Sequence, residues 1–349
     1  MEVGLLALGD LLDDPVTGTR LTPAQRHRQL VEEAVLAEAC GFTSVALGEH
    51  HFIEYILSAP PVVLAAIAER TSTLRLSTGV ALAANLDPVR IAEDYATVDA
   101  LSGGRVEPCF GRGTFFPYVY EGFGQDEALA KERFAESVEL VQRLWCEEEV
   151  TWEGRFRPPL NRVTTHPRPA QTPPPIWIGG GVSRDSVDLA ARLGCRLMLP
   201  TVFGSWSMFR PAVDRYREQW AAHGHDPALA RVGACSHFFV ARDSADAKAR
   251  WAPRYQHYLD NVAGWQRQSS EQAGKAIGLF PLQDFETMTQ TVAICGSPAE
   301  VVDRMGQLHE QLGIDTHLLM LDMGGMPDDE LFAALELTGA EVIPAVAGL

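Results

Sequence analysis

The chain has no run of about 18 consecutive apolar residues, the length a membrane-spanning helix needs, so no membrane association is expected. It is also short of positive charge: 29 Lys and Arg stand against 46 Asp and Glu, a net charge of −17. A body this acidic repels nucleic acid and anionic lipid, so a phosphate-bearing ligand must be held by a local site. The six cysteines (Cys40, Cys109, Cys146, Cys195, Cys235 and Cys295) include no close pair. That argues against a disulfide framework or a zinc cluster and points to a reduced, cytoplasmic chain. The opening stretch "MEVGLLALGDLLDDP" lacks the basic region of a signal peptide and reads as a first strand. No GxGxxG follows that strand, which counts against a Rossmann domain.

What the sequence does contain is an alternation of short apolar runs with longer helical patterns. Strands are expected at 3–8, 43–50, 74–82, 104–113, 175–181, 196–202, 232–241 and 316–323. Helical patterns follow each of them. Thr22 and Pro23 mark the first helix start, Pro88 opens another, and a helix is read near 243–262. Eight βα units predict an α/β fold with a parallel sheet, closed as a (β/α)8 TIM barrel. The 349 residues suit one such domain, 1–349, with an insertion after strand 4 (about 147–175) and another after strand 7 (about 264–292). The first insertion is expected to hold a small hairpin and the second to be irregular.

Chemistry in barrel enzymes sits at the C-terminal strand ends. Strand two ends in "GEHHF", residues 48–52. Side chains alternate along a strand, so Val45, Leu47, Glu49 and His51 share one side and Ala46, Gly48 and His50 the other. His50 is expected to point inward, and the three polar residues cannot form one metal triad without a turn. No other ligand-spaced cluster accompanies them, so no metal is expected. A histidine at a ligand-facing barrel mouth suits an acid, a base or a substrate anchor. "GRG" at 111–113 and "GGGVS" at 179–183 read as anion-binding turns, with Arg112 able to pair with a phosphate and the helix after strand five presenting its N-terminus. Arg133 alone reads as a helix charge.

Together these stretches resemble the bacterial luciferase-like family of flavin-dependent monooxygenases. The resemblance is carried by "ACGFTSVALGEHHF" (39–52), the long "LRLSTGVALAANLDPVRIAEDYATVDALSGGRVEPCFGRG" (74–113), "FGQDEALAKERFAESVELVQRLW" (123–145), "PPPIWIGGGVSRDSVDLAARLG" (173–194) and "AICGSPAEVVDRM" (293–305). It implies a dimeric barrel, here a homodimer, that binds reduced FMN, reacts it with O2 through a flavin peroxide and oxidises a small organic molecule. The reduced FMN would come from a separate flavin reductase. His50 falls on the family's catalytic acid/base position. Arg112, Arg133, Gly180, Gly181, Val182 and Ser183 fall on its phosphate cradle, and Gly79-Val80 on an unusual cis peptide against the flavin ring. Phe52, Tyr55, Phe115 and Phe116, with Tyr118 and Tyr120, would line the substrate pocket, and 264–292 would be a covering loop. Where luciferase carries a reactive cysteine this chain has Gly111, so light emission is not implied. The alternatives on the same barrel are a deazaflavin-dependent hydride transferase and a non-catalytic flavin-binding subunit.

Overall fold

The computed structural model describes residues 1–275 and 283–349. Its strands in the first half of the chain are β1 (Glu2–Ala7), β2 (Ser44–Leu47), β3 (Arg75–Thr78), β4 (Ala81–Leu82), β5 (Val106–Glu107) and β6 (Cys109–Gly111). A hairpin follows, β7 (Val150–Trp152) with β8 (Leu160–Val163). Then come β9 (Trp177–Gly179), β10 (Arg196–Leu199), β11 (Val232–Val240), β12 (Ile294–Gly296) and β13 (Thr316–Met320). All pairings in the main sheet are parallel, so each connection must cross over, and helices make the crossings.

The pairing circuit can be walked strand by strand. β1 lies between β13 and β2, and β2 pairs with β3. The third run is interrupted at Gly79-Val80, whose peptide bond is cis, leaving β3 and β4 as its two parts. The fourth is interrupted at Pro108, which has no N–H to give a ladder, leaving β5 and β6. β3 pairs with β5 and β4 with β6. From β6 the path continues through β9, β10 and β11 to β13. The result is an α/β fold around a curled parallel sheet. At the break beside Pro108 the Thr78 hydroxyl replaces the missing ladder bonds: it donates to the Cys109 carbonyl (2.6 Å) and accepts from the Cys109 N–H (2.9 Å). Thr201 makes the same double bond to the backbone of Cys235.

The helices follow their sequence signals. Pro23–Ala39 begins with a capping box, in which the Thr22 hydroxyl accepts from Gln25 N and the Gln25 side chain accepts from Thr22 N. Pro88–Ser102 is capped by Asp87. Residues 147–175 contain the antiparallel β7–β8 hairpin, outside the main sheet.

Two features depart from expectation. The helix expected to end near 262 runs on as Ser244–Gln272, and Phe285–Thr291 is helical too, so much of 264–292 is not irregular. The cause is a buried stripe continuing past 262 through Trp265, Gln266, Ser269 and Ser270, at the spacing of one helix face. Part of the expected covering loop, 276–282, lies outside the described residues. Secondly, β12 pairs with the C-terminal part of β11, a strand of nine buried residues long enough to take the extra partner.

Candidate active site

A cavity of about 390 Å³ opens at the C-terminal ends of the strands. It brings together His50, Gly79, Val80, Arg112, Gly180, Val182 and Ser183, with Tyr55, Phe115 and Phe116 on its wall. Five residues expected there do not line it: Gly181, Arg133, Phe52, Tyr118 and Tyr120. Gly181 sits at φ +127, a conformation that side chains rarely adopt, with its absent Cβ pointing at Leu199. Arg133 lies over the Phe156 ring at 5.2 Å and donates to Gln125. Phe52 is 47% exposed with φ +63 and packs over Gly122, beside Tyr118 and Phe123. Tyr120 is buried and donates to the Arg112 carbonyl; neither it nor Tyr118 lines the cavity.

The histidine stretch is not a continuation of the strand. β2 stops at Leu47, so alternation no longer sorts residues 48–51, and Glu49, His50 and His51 all line the cavity. They nevertheless do different things. Glu49 is buried; one carboxylate oxygen meets His51 Nε2 at 2.8 Å and the other accepts the Leu82 N–H at 2.9 Å. The Glu49 N–H donates to the Val80 carbonyl. Glu49 thus holds the chain just after the Gly79-Val80 peptide, at the Val80 carbonyl and the Leu82 N–H. His50 stacks on Tyr55 with ring centres 4.2 Å apart, meets the edge of Phe116, and keeps a buried Nδ1 with no protein partner. Burial pushes its pKa down to about 4, so the ring is neutral at physiological pH.

Val80 explains two of the glycines. A Cβ on Gly111 would lie 2.3 Å from Val80 Cγ2, and one on Gly179 would lie 2.8 Å from Val80 Cγ1. The valine side chain therefore plugs between two strand ends, and these glycines make room for it. Gly180 is constrained by the following helix, where its Cβ would meet Ser186 at 2.8 Å.

At the other end, Arg112 is half-buried and lines the cavity together with Ser183. Ser183 precedes the helix Arg184–Arg192 but makes no capping bond, and its buried hydroxyl has no partner. An orphaned hydroxyl at a helix N-terminus beside a guanidinium is a fit for a phosphate group. Arg133 is not on the cavity wall, but together with Arg112 it bears on the Tyr120 hydroxyl, whose pKa burial raises and the two guanidiniums lower.

His237, the histidine that the sequence places on the seventh strand, now β11, faces the same cavity, and so do Tyr258 and Val262 from the long helix, which sequence reading missed. The Tyr55 hydroxyl donates to that of Tyr258 at 3.2 Å, and His237 Nδ1 lies 2.6 Å from the Tyr255 hydroxyl. Burial lowers the His237 pKa to about 3. The spacing of Tyr255, Tyr258 and Val262 on one helix face was the available signal. No group of three or more His, Cys, Asp or Glu among the described residues is placed to hold a metal ion.

A family model described as luciferase-like monooxygenase matches residues 1–316. The oxygenase component of flavin-dependent trigonelline monooxygenase from Acinetobacter baylyi is 26% identical, over 93% of this chain and 92% of its own. An F420-dependent glucose-6-phosphate dehydrogenase from Intrasporangium calvum is 30% identical, over 92% of this chain and 96% of its own. The crystallised oxygenating constituent of 3,6-diketocamphane monooxygenase from Pseudomonas putida, in complex with FMN, superposes with a TM-score of 0.80 at 20% identity, covering 99% of this chain and 98% of that one.

Proposed function

Since the chain belongs to the luciferase-like monooxygenase family, we propose that it is the oxygenase of a flavin-dependent pair, using reduced FMN and O2 to oxidise a small organic substrate. The curled sheet is read as one (β/α)8 barrel domain, 1–349, with insertions after its fourth and seventh strands. The protein is taken to work in the cytoplasm as a homodimer, with reduced FMN supplied by a separate flavin reductase. The name of the trigonelline relative, an oxygenase component, supports that division of labour.

The observation that carries the reading is that a single cavity joins a phosphate-sized polar end, Arg112 with the orphaned Ser183 hydroxyl, to a neutral histidine with an orphaned nitrogen. Arg112, Ser183 and the N–H groups of the following helix would hold the flavin phosphate, with Gly180 and Val182 beside it and Gly181 shaping the turn. Arg133 would add its charge from behind Tyr120. Val80, gripped by Glu49 and plugged between Gly111 and Gly179, would support the ring. When bound, reduced FMN supplies the electrons that activate O2. His50 would receive or return a substrate proton at Nδ1, its ring held in place by the Tyr55 stack. Tyr55, Phe115 and Phe116 would exclude water from the reacting atoms; Phe52, at the surface, would shape the mouth.

A deazaflavin reading rests on the 30% identity to the F420-dependent relative. Anaerobic titration with reduced FMN and reduced F420 separates the two. We expect FMN to bind, with O2 consumption following on mixing, and Arg112→Ala to weaken binding about 10- to 100-fold, the worth of a charge-assisted hydrogen bond. His50→Ala should leave binding near normal and lower turnover about 10²- to 10⁴-fold. F420 binding without FMN binding would replace this reading.

A further inference from the structure

We propose, building on the flavin reading above, that the half of the cavity away from Arg112 is a site for an uncharged, largely apolar compound bearing one hydrogen-bonding oxygen, such as an aromatic ketone or a phenol, and that it rejects carboxylates and sugar phosphates. Among the described residues that line the cavity only Glu49 and Arg112 are Asp, Glu, Lys or Arg. Both Glu49 oxygens are committed, one to Leu82 N and one to His51. Arg112 stands with Ser183 at the phosphate end, and no lysine or second arginine lines the far half.

The walls decide the shape of what fits. Phe115, Phe116, Val262, Leu318 and Met320 make the far half apolar, and Phe115 lies near-parallel to Phe203 with ring centres 5.0 Å apart. Flat rings meet such walls in stacked or edge-on contact. Into this surface project polar side chains that are neutral at physiological pH, His50, His237, Tyr258 and Tyr55. Tyr258 accepts from Tyr55 at 3.2 Å and so keeps its own O–H to donate. A carbonyl or phenol oxygen satisfies such a donor. A carboxylate or phosphate buried here would leave water without a cation to meet it.

The test uses reduced-FMN-loaded protein under anaerobic conditions, titrated calorimetrically with 1-indanone, indane-1-carboxylate and glucose 6-phosphate. Indanone is expected to bind with a negative heat-capacity change, and the two anions about 100-fold more weakly or not detectably. Tyr258→Phe should weaken indanone about 10-fold and leave FMN affinity unchanged. No indanone binding, an anion binding as tightly as indanone, or a Tyr258→Phe protein that binds indanone like the wild type would each overturn the proposal. FMN affinity is measured first, so failure of the cofactor reading is seen separately. In that event the same titration on the apoprotein, with saturating inorganic phosphate at the Arg112 end, decides the proposal by the same outcomes.

Discussion

At the scale of the residue, Glu49 shows how a charged side chain can be buried without being the chemical actor. It is 4% exposed, and its carboxylate takes a backbone N–H on one side and His51 on the other. Glu49→Ala would leave the Leu82 N–H buried and unpaired, a loss of about 1–3 kcal/mol, and would loosen the chain at Leu82, two residues after Val80. The expected outcome is weaker flavin binding together with a changed visible circular dichroism of bound FMN. Glu49→Gln, which keeps an acceptor for Leu82, should restore most of both. If Glu49→Ala lowered the melting temperature yet left the flavin spectrum and affinity intact, Glu49 would be structural only. His50 was legible from the sequence because its neighbours spell a recognisable strand end. Glu49's role was not, since its partner Leu82 lies 33 residues away and only the fold brings the two together.

At the scale of the element, the informative piece is the interrupted third strand. The strand runs themselves were readable from apolar stretches ending in glycine. The cis peptide at Gly79-Val80 was implied by the family resemblance and is present; the break at Pro108 and the plug that Val80 makes were not readable, because they depend on strands that meet only in the folded sheet. Glycines 111 and 179 look like ligand cradles in sequence and turn out to make room for Val80. A Gly111→Ala substitution should therefore overpack the strand ends and cost about 1–3 kcal/mol in chemical denaturation. Adding Val80→Ala should return much of that stability, which a simple loss of backbone freedom at Gly111 would not do. Additivity of the two changes would contradict the plug. The long helix Ser244–Gln272 is the opposite case: its buried stripe was in the sequence, but the polar run around it read as a loop.

At the scale of the whole molecule, acidity and burial set the pH response. Asp10 is buried with one oxygen unpartnered, and burial raises its pKa to about 7 despite Arg26 nearby. Glu33 is buried with neither oxygen bonded, and its pKa is raised for the same reason, reinforced by Asp322. Folding holds protons on these groups, so their contribution to stability falls as pH rises above the unfolded carboxyl value of about 4 and, for Asp10, levels off above about 7. Burial acts in the other sense on His50, His237 and His317, lowered from 6.5 to about 4, 3 and 3. The unfolded chain binds their protons first, so stability falls as pH drops below about 6.5. Below about pH 6.5 the two sets therefore oppose each other, and Asp10→Asn, which removes a carboxyl that loses its proton between about pH 4 and 7, should make the melting temperature rise more steeply from pH 5 to 7 than in the wild type. An Asp10→Asn protein whose melting temperature follows the wild-type pH profile would contradict the assignment. The net charge of −17, by contrast, was plain in the sequence and bears on partners more than on the fold.

The central claim is that one cavity holds a flavin with its phosphate at Arg112 and Ser183 and its ring between Val80 and His50. A crystal structure of the protein soaked with FMN tests it most directly. The account predicts phosphate oxygens within hydrogen-bonding distance of the Ser183 hydroxyl and the Arg112 guanidinium, with the ring lying against Val80. A flavin whose phosphate sits elsewhere, with Ser183 still unpartnered, would contradict it.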